Sequence, residues 1–62
     1  MTLLRRVEGF LKRSGMSATR FGRESIRDPR LVRDMRNGRE PRAATARRIA
    51  RFLETHGEGA GR

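Results

Sequence analysis

A chain of 62 residues makes one domain, near the lower limit at which a polypeptide supplies its own core. It has no cysteine and a single histidine, His56, which excludes disulfides, a thiolate metal site and any histidine-based metal cluster. Sixteen Lys plus Arg against seven Asp plus Glu leave a net charge of +9, a field that draws in polyanions, of which nucleic acid is the commonest.

No apolar run approaches membrane-spanning length and no signal-like apolar block stands near the amino end, so the expected compartment is the cytoplasm, beside the nucleoid. Fifteen of the sixteen basic residues are arginine. Arginine forms bidentate bonds to phosphate and guanine, but GC-rich codon usage also enriches Arg, Gly and Ala together, and composition leaves both accounts open. The charge is distributed: +3 over residues 1–17, +4 over 18–42 and +2 over 43–62. It belongs to a domain surface and not to one basic tail.

The first helix is predicted over about 2–14, with Thr2 as its N-cap and Gly15 beyond its end. Leu3, Leu4, Val7, Phe10 and Leu11 form a broad apolar stripe, and Arg5, Arg6, Lys12 and Arg13 lie away from it. Glu8 stands four residues before Lys12, the favourable order for a helical ion pair. Gly9 either costs this helix about 1 kcal/mol or admits a close neighbour.

Ser17 caps a second helix over about 18–26, whose inner side is Phe21, Ser25 and Ile26 with Gly22 at its middle. Met16, just before the cap, is placed to fold over Phe21 as a hydrophobic staple. The third helix, about 29–37, has Asp28 as N-cap, Pro29 at its first position and Asn37-Gly38 as its stop. Leu31, Val32 and Met35 fall on one side, while Arg30, Arg33, Asp34 and Asn37 project from the other. So short a helix must dock to persist. What it shows to solvent is a set of guanidinium, carboxylate and amide groups, the groups that read base edges in a major groove.

After the loop Arg39-Glu40-Pro41-Arg42, a fourth helix is predicted over about 43–55. Ala46, Ile49, Ala50, Phe52 and Leu53 form its inner side, and Arg47, Arg48 and Arg51 a solvated one. Residues 57–62 read as a disordered tail. No strand pattern appears. The expected architecture is all-α, a four-helix domain within residues 1–56. The second and third helices are joined by only two or three residues, and so tight a turn makes them cross steeply.

Gly15-Met16-Ser17-Ala18-Thr19-Arg20-Phe21-Gly22, Val32, Met35, Asn37-Gly38, Pro41 and Ala46-Arg47-Arg48-Ile49-Ala50 together make the chain resemble the lambda-repressor-like (XRE/Cro-type) helix-turn-helix proteins, over about residues 4–53. It departs from them at Ile26-Arg27, where the family usually has a turn glycine. Either Arg27 adopts a left-handed conformation at some cost, or the turn is remodelled.

The resemblance implies a sequence-specific binder of double-stranded DNA, a transcription regulator of the kind found in phages and mobile elements, with the third helix in the major groove. It makes Arg30, Arg33 and Asp34 base readers, the arginines chelating guanine and Asp34 accepting from a cytosine amine or orienting an arginine. Asn37, Arg39 and Arg42 fall to phosphate. So do the amino end of the second helix at Ser17, Ala18 and Thr19, and the flanking Arg20, Arg23 and Arg27.

Plainer readings stand beside these. Asp34 pairs with Arg30 one turn back, Arg20, Arg23 or Arg27 pairs with Glu24 or Asp28, and Arg36 lies over the core edge. Most relatives bind near-palindromic sites as dimers, and three routes stay open here: a homodimer through the end of the last helix, a homodimer formed only on DNA, or reliance on another protein. An RNA- or ribosome-associated domain and a protein-interaction module on the same fold are the alternatives. The RNA reading is weakened by the lack of aromatics outside the expected core. No cofactor, metal or small-molecule ligand is expected. The residue set also contains no Ser-His-acid arrangement, paired-carboxylate pocket or phosphate loop, so an enzyme is not expected.

Overall fold

A computed structural model describes residues 2–56 and is all-helical over them. The expected tail at 57–62 lies outside the described residues. Helix α1 is Leu3–Ser14, α2 is Ala18–Ile26, α3 is Leu31–Arg36 and α4 is Ala43–Thr55. Among the described residues no helix is long and apolar enough to cross a membrane.

The helix ends follow from local chemistry. Thr2 and Ser17 each accept a backbone N–H through the hydroxyl, from Arg5 at 3.2 Å and Arg20 at 3.1 Å, and so satisfy one orphan donor of each first turn. Gly15 closes α1 in the left-handed conformation. Helix α2 ends on Arg27, the only non-glycine residue with positive φ among those described (φ 60°, ψ 34°). Its N–H donates to the Arg23 carbonyl at 3.0 Å, and the next N–H, from Asp28, reaches back to the Gly22 carbonyl at 3.0 Å. The turn is therefore the strained one of the two alternatives. An L-residue in this conformation costs about 1–2 kcal/mol.

Helix α3 is shorter than its sequence marks suggest. Pro29 and Arg30 lie in a turn before it, so four residues separate α2 from α3, not two or three. Asp28 still organises that turn: its carboxylate accepts the Arg30 N–H at 3.0 Å and its carbonyl the Leu31 N–H at 3.1 Å. Its bonds are those of a single i to i+3 turn leading into the helix, which moves the helical start to Leu31. At the other end Gly38 takes the positive φ of 106° and Asn37 precedes it as the C-cap.

Helix α2 packs against α3 and α4, and α1 packs against the same two. Helices α3 and α4 thus sit diagonally across the core. The core consists of Val7 and Phe10 from α1, Phe21 from α2, Leu31, Val32 and Met35 from α3, and Ile49, Phe52 and Leu53 from α4. Leu3, Leu4, Leu11, Met16 and Ile26 are partly buried around it. Phe10, Phe21 and Phe52 form a triangle with ring centroids 5.2–6.1 Å apart, in tilted and edge-to-face contacts that complement the ring quadrupoles. Ser25, the buried polar residue of α2, donates to the Phe21 carbonyl at 2.7 Å.

Two glycines have opposite meanings. A Cβ on Gly22 would overlap the Asp28 carbonyl oxygen and stand 3.2 Å from the Leu31 Cβ, so the close passage of α3's leading turn over α2 requires glycine. At Gly9 the nearest obstacle is the tip of Arg13, at 3.2 Å, and no neighbouring helix approaches. Gly9 is thus a plain helix weakness. In urea unfolding, Gly9→Ala is expected to raise stability by about 0.5–1 kcal/mol. Gly22→Ala is expected to lower it by about 1–3 kcal/mol, because backbone must move. Arg27→Gly is expected to be more stable than Arg27→Ala by about 1 kcal/mol, the conformational cost at that site; equal midpoints for the pair would contradict the left-handed turn.

Candidate nucleic-acid interface

Helix α3 is the most heavily buried element for its length. Leu31 and Val32 are wholly inaccessible and Met35 nearly so. With that side fixed in the core, the geometry of a helix turns Arg33 outward, and Arg30 leaves the turn just before it. Both side chains are exposed, and neither makes an ion pair or side-chain hydrogen bond among the described residues. Arg23 and Arg27, at the carboxyl end of α2, and Arg42, before α4, are exposed and unpaired in the same way.

The remaining charged residues around α3 hold one another. Arg39 donates from one Nη1 to Asp28 at 2.8 Å and, more weakly, to Asp34 at 3.4 Å. Its N–H also donates to the Asp34 carbonyl at 2.9 Å. One arginine after α3 is thereby tied to the turn before α3 and to α3 itself. Asp34 is thus turned to Arg39 and not to Arg30, and Arg39, expected on phosphate, has two carboxylate neighbours in the free protein. Asn37 donates its side-chain amide to the Arg33 carbonyl at 3.0 Å, closing the helix end.

Arg36 forks onto Glu8 of α1, with Nε and Nη2 each 2.6 Å from a carboxylate oxygen. Glu8 therefore serves α3 and not Lys12, as its spacing in α1 suggests, and Arg36 does more than lie over the core edge. Nothing in the local pattern points to this pair, since its members are 28 positions apart. Arg20 takes the plainer of its two readings and binds Glu24 at 2.6 Å, one turn along α2.

At the amino end of α2 the Ser17 hydroxyl is used as the cap, while the first-turn N–H groups of Ala18 and Thr19 have no helical acceptor and remain for an outside partner. His56 is the C-cap of α4. Its ring stacks on Phe52 at 3.8 Å between centroids, with Nδ1 3.0 Å from the Phe52 carbonyl.

What this surface can do follows from its inventory. The side chains of Arg23, Arg27, Arg30 and Arg33 make no ion pair or side-chain hydrogen bond among the described residues, and two free amides stand at a helix start. Comparison of the chain with protein-family models, curated proteins and solved structures finds no match. The chemistry of the surface is thus read from its own residues.

The two struts are also pH sensors of a simple kind. The Arg36 guanidinium holds the Glu8 carboxyl below its ordinary value of 4.5, and Arg39, helped by the Arg30 N–H, holds Asp28 below 3.8. Both groups are more acidic folded than unfolded. Their contribution is therefore complete above the ordinary carboxylate range and is lost as pH falls through it toward the lower folded values. Glu8→Gln and Asp28→Asn should each lower the melting temperature at pH 7. The gap from the parent chain should close as the pH is taken below about 4, and it should shrink at high salt because both pairs are solvent-exposed.

Proposed function

We propose that this protein binds double-stranded DNA sequence-specifically as a transcription regulator, with α2, the turn and α3 acting as a helix-turn-helix. The single observation that carries the reading is the contrast across α3 and its leading turn: a buried apolar side backed by two ionic struts, and exposed Arg30 and Arg33 side chains that make no ion pair or side-chain hydrogen bond. Duplex DNA is the partner whose groove admits a helix and whose guanine edge matches the guanidinium fork.

On this reading Arg30 and Arg33 read bases, and Arg23, Arg27 and Arg42 hold the phosphate chain, with the Ala18 and Thr19 amides at the start of α2. Arg20 joins them by exchanging an exposed carboxylate for a phosphate, at little cost for a surface pair. Ser17 contributes through its cap, which orients those amides. Asp34 and Arg39 keep α3 at its angle, and Asn37 keeps its end closed. The protein acts in the cytoplasm on nucleoid DNA, alone or as a homodimer formed on a near-palindromic site.

Selection of bound sites from random duplexes tests the reading and reports the symmetry of the site. Arg30→Ala or Arg33→Ala should each weaken the selected site by about 1–3 kcal/mol and narrow its advantage over random duplex. Arg23→Ala or Arg42→Ala should weaken all duplexes alike and reduce the salt slope by about one. If selection enriches no sequence, or if A-form RNA duplex competes as well as DNA, major-groove reading by α3 is wrong.

A further inference from the structure

The arginines of this chain divide by partner. Arg20, Arg36 and Arg39 each end on a carboxylate. Arg47, Arg48 and Arg51 of α4 are all exposed, make no ion pair among the described residues, and share their helix with one acid, Glu54. Like charges three and four positions apart repel along a helix, so the fold gains nothing from this arrangement. The first turn of α4 carries no acid, and its N-cap, Arg42, makes no side-chain hydrogen bond, which leaves the positive end of the helix dipole uncompensated.

The same three arginines, with Ala44, Ala50 and Glu54, border an open groove of about 520 Å³. Its lining holds no large apolar side chain to anchor a protein partner or to enter a lipid surface, only two alanines and the stems of charged residues. Three guanidinium groups against one carboxylate make it strongly cationic. Helices α3 and α4 each pack against α1 and α2, and with Ile49, Phe52 and Leu53 of α4 and Leu31, Val32 and Met35 of α3 in the shared core, the exposed arginines of each helix point away from that core.

We infer that Arg47, Arg48 and Arg51 form a second, sequence-independent binding surface for the phosphate backbone of duplex DNA, distinct from the duplex on α3, so that one molecule ties two segments together. Guanidinium groups in a row on a helix match a row of phosphates, each able to form a forked, charge-assisted pair. The inference rests on the α3 reading only for what occupies the first site.

The test uses the full chain and two random-sequence duplexes, one tethered to beads and one fluorescent. The parent protein should retain the fluorescent duplex on the beads. The variant Arg47→Ala/Arg48→Ala/Arg51→Ala should retain at least about tenfold less, while its affinity for a single duplex in solution changes by no more than about twofold. Alanine favours helix, and circular dichroism should show the variant folded. The triple lysine variant should restore retention, since phosphate accepts a point charge.

Undiminished retention by the alanine variant would overturn the inference, because a dimer carrying one duplex on each α3 needs no α4 arginine. So would a parallel loss of single-duplex affinity, which would put α4 on the same duplex as α3, and so would a parent protein that retains nothing. Random sequence keeps the two readings apart: Arg30→Ala/Arg33→Ala with unchanged site preference would sink base reading by α3 and leave the α4 result standing.

Discussion

The structure depends on one close contact, the carbonyl of Asp28 lying on Gly22. The chain leaves α2 through a left-handed residue, doubles back far enough for the Asp28 N–H to reach the Gly22 carbonyl, and starts α3 from there. No side chain fits between the turn and the helix at that point. The direction of α3 is thus a consequence of backbone packing on backbone, which is stiff, and not of side-chain contacts, which adjust. Every later feature inherits that direction: the burial of Leu31 and Val32, the outward course of Arg33, and the reach of Arg36 to Glu8.

A helix of six residues has no stability of its own, and three of those six are in the core. The other three do separate work. Arg36 ties the helix to α1, Asp34 ties it to the loop that follows, and Arg33 is left over. Surface pairs of this kind add little to stability singly. Their effect is geometric, because they close both ends of α3 against different parts of the chain and fix its rotation about its own axis. On the proposed function that rotation decides which side chain meets which base, so a small contribution to stability is a large one to positioning.

The parts of this fold legible in the sequence are those decided within one turn of helix. Thr2 and Ser17 as caps, Gly15 and Gly38 as stops, and the stripes of Val7-Phe10, Phe21-Ser25 and Ile49-Leu53 all depend on neighbours three or four positions away. Gly22 was legible for a related reason, since a mid-helix glycine opposite a short turn marks a close approach. What could not be read depends on contacts between distant segments. Glu8 has a good partner in Lys12 by spacing, and only the packing of α1 on α3 brings Arg36 nearer. Arg39 reads as a free loop charge until the turn at Asp28 folds beneath it. The start of α3 is not legible, because Pro29 fits a first helical position and an isolated turn equally well.

The distribution of charge carries the last step. Three of the four carboxylates between positions 18 and 42, those of Glu24, Asp28 and Asp34, are taken up by Arg20 and Arg39, and Glu8 by Arg36, so the acids of this protein mostly serve its own basic side chains. Among the described residues Arg5 and Arg13 of α1, Arg23, Arg27, Arg30 and Arg33 around the α2–α3 turn, Arg42 before α4, and Arg47, Arg48 and Arg51 of α4 make no ion pair. Each exposed, unpaired cluster lowers its own energy by meeting an external polyanion, and the effect is screened beyond about 10 Å.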